Sequence, residues 1–135
     1  MANWILKTEP KTYSFDRLLA EKTAVWDGVT NPVALKHIQS MHKGDRVLIY
    51  HTGDEKAVVG LAEVASEPFQ DPKAKDEKLA VVEVRAKSRL ARAVPLAAIR
   101  AERAFADLAL VRMPRLSVVP ASDAQWAALL RMGGA

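Results

Sequence analysis

Four short segments place polar and charged side chains beside aromatic rings at points where strands would end. They are Lys7-Thr8-Glu9-Pro10, Trp26-Asp27-Gly28-Val29-Thr30-Asn31, Tyr50-His51-Thr52 and Arg112-Met113-Pro114-Arg115-Leu116-Ser117-Val118. Together they have the makings of a pocket for a nucleobase. An indole such as Trp26 offers a stacking face, worth roughly 1–3 kcal/mol per base. Thr30, Asn31 and backbone N–H groups at a helix start can bond a base edge or a phosphate. Gly28 lets the backbone come close because it carries no side chain. Lys7, Arg112 and Arg115 are cations of the kind that meet phosphates. Each part also has a plainer role. Trp26 is as well explained by core packing, Asp27-Gly28 by a turn, Lys7 and Glu9 by an exposed ion pair, and His51 by a structural hydrogen bond. The residues alone leave these alternatives open.

Other chemistries lack their residues. The six glycines, at 28, 44, 53, 60, 133 and 134, form neither a dinucleotide fingerprint nor a phosphate-binding loop. No serine sits in a nucleophile elbow. His37 and His42 are five apart, which is not metal-ligand spacing, and no metal or other cofactor is expected. The pairs Asp54-Glu55 and Asp76-Glu77 stand in polar stretches and read as solvated rather than as acid and base. With no cysteine, disulfides, thiolate metal sites and cysteine nucleophiles are excluded.

The elements that must position these residues are short. A strand is predicted over 3–8, stopped by Pro10. Ser14 can cap a helix running to about Ala20. Asn31 as N-cap and Pro32 at the first helical position mark the clearest helix start. Leu35, Ile38 and Met41 supply its apolar stripe, and Gly44 its expected stop. Strands follow over 45–51 and 58–65, joined by a hairpin-length loop over 52–56. Gly60, inside the second of these, points to a bulge or a close approach. A third strand is read over 79–89. There Val82, Val84 and Ala86 alternate with Glu83, Arg85, Lys87 and Arg89. A charged loop is expected over 71–78, a short helix over 95–100 anchored by Leu96 and Ile99, and a last strand over 116–119. Ser122 and Gln125 form a capping box for a final helix. That helix packs Trp126, Leu129 and Leu130 inward and stops at Gly133. Strands separated by short helices, with no βαβ series, predict a mixed, curved sheet or small barrel of the α+β class.

At 135 residues, 50% hydrophobic and 27% charged, the chain has the size and make-up of one globular domain over 1–135. Its net charge of +4 suits an anionic partner without requiring one. There is no signal-peptide pattern at the start and no apolar run of membrane-spanning length. A cytoplasmic monomer is expected, with no membrane contact.

The same segments, in order along nearly the whole chain, resemble the EVE domain family. The resemblance rests on Trp4-x-x-Lys7-Thr8-Glu9-Pro10, Tyr13-Ser14, Trp26 through Pro32, Met41-x-x-Gly44-Asp45, Tyr50-His51-Thr52, Val59 through Val64, Leu110-Val111-Arg112, Leu116-Ser117-Val118 and Trp126. It implies a PUA-like fold, a pseudo-barrel of mixed strands with short helices around it. It also implies a nucleic-acid-binding module rather than an enzyme, one that recognises a modified base of DNA or RNA turned out into a pocket. By that resemblance Trp26, Asp27, Gly28, Val29, Thr30 and Asn31 line the pocket, and Lys7, Glu9, Tyr50, His51 and Ser117 stand near it. Arg112 and Arg115, with the strand row Arg85, Lys87 and Arg89 and neighbouring Arg92, are the expected backbone contacts, unless the strand row is a solvated face. Many members carry arginine where this chain has Thr30, and Arg-Asn in place of Leu35-Lys36. Serine is also common at the positions of Thr8 and Thr52. Losing the arginine removes a charge and a forked donor at the rim. The rival expectation is a small-molecule sensor or enzyme that takes a free nucleoside in the same pocket.

Overall fold

In β3 (Arg46–His51) every residue from Val47 to His51 is buried, which puts this strand at the centre of the sheet. The computed structural model describes residues 1–73 and 79–135. β3 runs parallel to β1 (Asn3–Thr8), in register from Asn3 opposite Arg46 to Thr8 opposite His51. On its other side it is antiparallel to β4 (Ala57–Val64). β4 in turn pairs with β6 (Ala80–Pro95), a strand of 16 residues. The first half of β6 also pairs with β2 (Thr23–Trp26), and its start with the two-residue β5 (Phe69–Gln70). β7 (Val118–Ala121) pairs antiparallel with β1. The order β2-β6-β4-β3-β1-β7 makes a seven-stranded mixed sheet, with β5 beside β6. The fold is thus mixed α+β, as expected.

The sheet is bent by bulges. Register shifts occur between Ile49 and Tyr50, between Val58 and Gly60, and between Leu61 and Ala62. Each bulge sharpens the local twist. Gly60 lies within this bent stretch, and a methyl group there would overlap the Phe15 ring. Both readings of Gly60, bulge and close approach, are therefore met. Phe15 opens α1 (Phe15–Glu21), whose start is capped by Ser14 Oγ accepting from Arg17 N–H at 3.1 Å. Phe15 and Leu18 turn inward and are fully buried.

α2 (Pro32–Ser40) begins as the sequence suggests, with Asn31 Oδ1 accepting from Val33 N–H at 2.9 Å and Ala34 N–H at 3.1 Å. Gly44 is not its stop. The helix ends at Ser40 with Met41 as cap, and Gly44 (φ +95°) serves the turn into β3. There its N–H donates to Val64 O at 2.8 Å. α2 packs on both β6 and β7, so it spans from one side of the curved sheet to the other. α3 (Leu96–Ala101), a single 3-10 turn (Arg103–Phe105) and α4 (Ala109–Arg112) fill the span between β6 and β7, and the 3-10 turn and α4 have no counterpart in the sequence reading. α5 (Asp123–Met132) carries the expected capping box. Several strand ends differ from expectation by one residue, and two strands differ by more. β6 runs on to Pro95 rather than ending at Arg89, and the last strand spans Val118–Ala121 rather than 116–119. Of the charged loop expected over 71–78, the part over 74–78 lies outside the described residues. Among the described residues no helix is long and apolar enough to cross a membrane.

Gly60→Ala tests the close approach. Phe15 is fully buried and cannot swing aside, so the added methyl should overpack the core and destabilise the fold by about 1–3 kcal/mol in urea unfolding. An unchanged midpoint would show that the ring has room.

Candidate functional site

Among the described residues β2 stands at one end of the strand order, hydrogen-bonded to β6 alone. Trp26 ends the strand opposite Val82. The next two residues leave the sheet through Gly28, whose φ of +77° is a conformation that L side chains rarely adopt. Among the described residues, its chain neighbours apart, nothing approaches within 4 Å of where a Gly28 Cβ would stand, so its glycine answers to the turn and not to crowding. The chain then turns into the Asn31 cap of α2.

Between β2 and the far side of the sheet lies a cleft of about 800 Å³. Thr23 to Val29 form one wall. Lys7 and Thr8, at the end of β1, and Ser117, just before β7, face them. The two edge regions are tied on the far side by Lys7 N–H donating to Ser117 O at 3.0 Å. Thr12, Tyr13, Arg17 and Glu21 build the third wall, and Lys73 stands at the margin.

Tyr13 meets Trp26 edge-on, with ring centroids 6.2 Å apart and planes at 83°. Such a geometry leaves the indole braced without covering it by a parallel ring. The Tyr13 hydroxyl donates to Glu21 Oε1 at 2.6 Å. Arg17 pairs with Glu21 at 3.5 Å and lies 5.2 Å over the Tyr13 ring. Burial, and then the bond and charge of Glu21, push the Tyr13 hydroxyl far above its usual range against a smaller opposing effect of Arg17. Lys7 donates from Nζ to Pro114 O at 2.9 Å, and burial holds its ammonium below the usual lysine value.

Trp26 is 8% exposed, belongs to the core cluster and also lines the cleft. The residue thus packs in the core and borders the cleft at the same time. The other two tryptophans are committed elsewhere. Trp4 donates through Nε1 to buried Asp45 at 3.0 Å, and Trp126 lies under Arg46 at 5.1 Å.

The structure gathers Lys7, Trp26, Asp27, Gly28, Val29 and Ser117 at the cleft. It does not bring the remaining candidates there. Asn31 has its side-chain oxygen engaged as a helix cap, and Thr30 points to solvent beside it. His51 is buried with both ring nitrogens held. Nε2 accepts from Phe15 N–H at 2.9 Å, which leaves Nδ1–H to donate to Glu55 Oε1 at 2.7 Å. Glu9 accepts from Lys11 N–H and Thr52 Oγ1. Tyr50 lines a separate, smaller cavity that Lys7 also reaches. The strand row is paired internally: Arg85 and Lys87 with Glu63 at 3.1 and 3.5 Å, and Arg89 with Asp16. Arg92 donates to Arg131 O and Met132 O at the end of α5. Arg112 and Arg115 are exposed and outside the cleft. The residues that sequence reasoning missed are chiefly those of α1. Their signal was the i, i+4 pair Arg17 and Glu21 following an aromatic. Among the described residues no group of three His, Cys, Asp or Glu is placed to hold a metal ion.

The EVE domain family matches residues 2–132. Thymocyte nuclear protein 1 of Danio rerio is 26% identical over 153 residues, and the match covers 88% of this chain and 66% of that protein, so the chain spans just under two thirds of its relative. Among solved structures, that of Rpa0253 from Rhodopseudomonas palustris is 38% identical, with a TM-score of 0.94 over 99% of this chain and 94% of that one. Human THYN1, solved in complex with 5-methylcytosine-containing DNA, is 23% identical, with a TM-score of 0.91 over 100% of this chain and 99% of that one; at that identity it shows a shared fold.

Tyr13 and Tyr50 are the chain's two tyrosines, and burial raises both above their ordinary value. A phenol whose folded pKa is raised stabilises the fold below its unfolded value of about 10, and that contribution is lost as pH rises through the folded value. Absorbance at 295 nm should therefore show little tyrosinate at about pH 10 in the native protein, against half ionisation in urea. Thermal stability should fall as pH climbs beyond about 10. Native half-ionisation at about pH 10 would contradict the raised Tyr13 value and its bond to Glu21.

Proposed function

The chain belongs to the EVE domain family, and from that premise we propose that it is a nucleic-acid-binding module that holds a modified base, turned out of its strand, in the Trp26 cleft. The observation that carries the reading is the cleft itself. It has the size of a small-molecule site, and one of its walls bears a tryptophan braced edge-on by Tyr13. Turning a base out of its stack costs a few kcal/mol. Stacking on Trp26 offsets roughly 1–3 kcal/mol of that. The polar residues lining the cleft, Thr8, Thr12, Asp27 and Ser117, supply donors and acceptors for the base edge. The human protein of the same fold, solved with 5-methylcytosine-containing DNA, makes that base the first to try.

Binding without turnover is part of the proposal. Tyr13, Glu21 and Arg17 are engaged with one another, and Tyr13 holds its proton well above neutral pH. A general acid or base works best with a pKa near the operating pH. The same cluster serves well as a rigid wall.

Oligonucleotides carrying 5-methylcytosine or another modified base, compared with unmodified controls by fluorescence anisotropy, test the proposal. Wild type should prefer one modified strand. Trp26→Phe, which keeps a ring, should retain part of the affinity. Trp26→Ala should lose roughly 5- to 150-fold, as expected for one lost stacking contact. Trp26→Ala also empties core volume at a cost of about 3–5 kcal/mol, so each variant is assayed below its own melting temperature. Equal affinity for all three proteins would remove Trp26 from the site. A free modified nucleoside bound as tightly as the strand, with no salt dependence, would favour a small-molecule sensor instead.

A further inference from the structure

Beside the main cleft lies a second cavity, of about 230 Å³, bounded by Lys7, Tyr50, Gly53, Lys56, Leu96 and Arg100. Its charges have one sign. Lys7, Lys56 and Arg100 are cations, and no carboxylate lines it among the described residues. None of the three has an ion-pair partner there either, whereas Arg17, Arg46, Arg85, Lys87 and Arg89 all do. One carboxylate, that of Glu9, lies against Gly53 and is turned to Lys11 N–H and Thr52 Oγ1.

The three cations are built in from separate elements. Lys7, at the end of β1, sits 5.8 Å over the Tyr50 ring. One of its three ammonium donors goes to Pro114 O, which leaves two. Arg100, in the last turn of α3, is close enough that its charge acts on the Tyr50 hydroxyl. Lys56 holds φ at +47°, a conformation uncommon outside glycine, and its carbonyl accepts from Leu96 N–H at 2.8 Å. Strained backbone held by its neighbours collects at binding sites. Lys7 borders both this cavity and the Trp26 cleft, so whatever fills one lies next to the other.

We propose that this second cavity is a phosphate site, and that it takes the backbone phosphodiester next to the base held in the cleft. The inference rests on the reading of the cleft as a base pocket, and it names Lys7, Lys56 and Arg100 as the backbone contacts in place of the internally paired strand row. Three cations that line one cavity with a phenol and have no carboxylate partner among the described residues suit a tetrahedral anion, whereas the cations of the strand row must first give up Glu63 or Asp16.

The test is the salt dependence of single-stranded oligonucleotide binding, with one 5-methylcytosine probe and its unmodified twin. Lys56 and Arg100 are exposed and outside the core, so the K56A/R100A protein should melt as wild type does. For single strands each neutralised phosphate contributes about 0.7 to the slope of log affinity against log salt, so the double variant, losing the one phosphate contact, should lose up to about 0.7 while keeping the wild-type preference between the two probes. R85A/K87A should keep the wild-type slope. Inorganic phosphate, added alone, should shift the Lys56 and Arg100 backbone amide signals in NMR spectra of wild type. Oligonucleotide binding with a slope that K56A/R100A leaves unchanged would overturn the phosphate site and leave the base pocket standing. A phosphate response without any oligonucleotide binding would uphold the anion site, assign its phosphate to a free ligand and reject the base reader. Silence in both experiments would overturn both.

Discussion

The cleft depends on how Phe15 is seated. Its ring lies on Gly60 of β4, where no other side chain leaves room. Its backbone N–H is held by His51 of β3, and the guanidinium of Arg89 from β6 lies 5.9 Å over the ring while pairing with neighbouring Asp16. Three adjacent strands thus fix one residue. That residue starts α1, and α1 carries Arg17 and Glu21, which lock Tyr13 against Trp26. A bulged glycine in the sheet is therefore linked to the wall of the cleft through a short chain of contacts. The seat also explains why the sheet bends there. Register shifts on both sides of Gly60 let the strand yield to the ring instead of excluding it.

Charge is arranged by the same logic. A net charge of +4 gives the sign of a partner but not its place. The regular row Arg85, Lys87 and Arg89 looks like a track for a backbone, yet it faces Glu63 and Asp16, and exposed pairs of that kind contribute little beyond local order. Lys7, Lys56 and Arg100, which have no carboxylate partner among the described residues, come from three separate elements and line one cavity where β1, the loop before β4 and α3 converge. An attractive surface for an anion is made by withholding carboxylates as much as by adding lysines and arginines.

Features encoded within a few residues were legible in the chain. Asn31-Pro32 and the Ser122–Gln125 box mark helix starts by their own hydrogen bonds. The alternation from Val82 marks a strand with one buried face. What needed a distant partner was not legible. Beyond Arg89 the strand β6 continues, but Leu90 is buried between exposed neighbours on a bulged stretch, so the two-residue rhythm breaks. Gly44 follows an apolar stripe and imitates a helix stop, while its real constraint is a turn bonded to Val64. The candidate site divides in the same way. Trp26 to Val29 were readable as a unit, whereas the α1 wall belongs to the cleft only through Phe15. His51 next to Tyr50 resembled a ligand contact, but its ring is held from both sides by Phe15 and Glu55.

The role given to Trp26 has a direct readout, because the chain has three tryptophans in three different settings. Their indole N–H signals can be followed in nitrogen-15 spectra while a strand with 5-methylcytosine is added. The Trp26 signal should move in proportion to binding, while that of Trp4, bonded to Asp45, and that of Trp126, under Arg46, stay in place. Binding that leaves the Trp26 signal unmoved, or moves the other two instead, would contradict the cleft as the seat of the base.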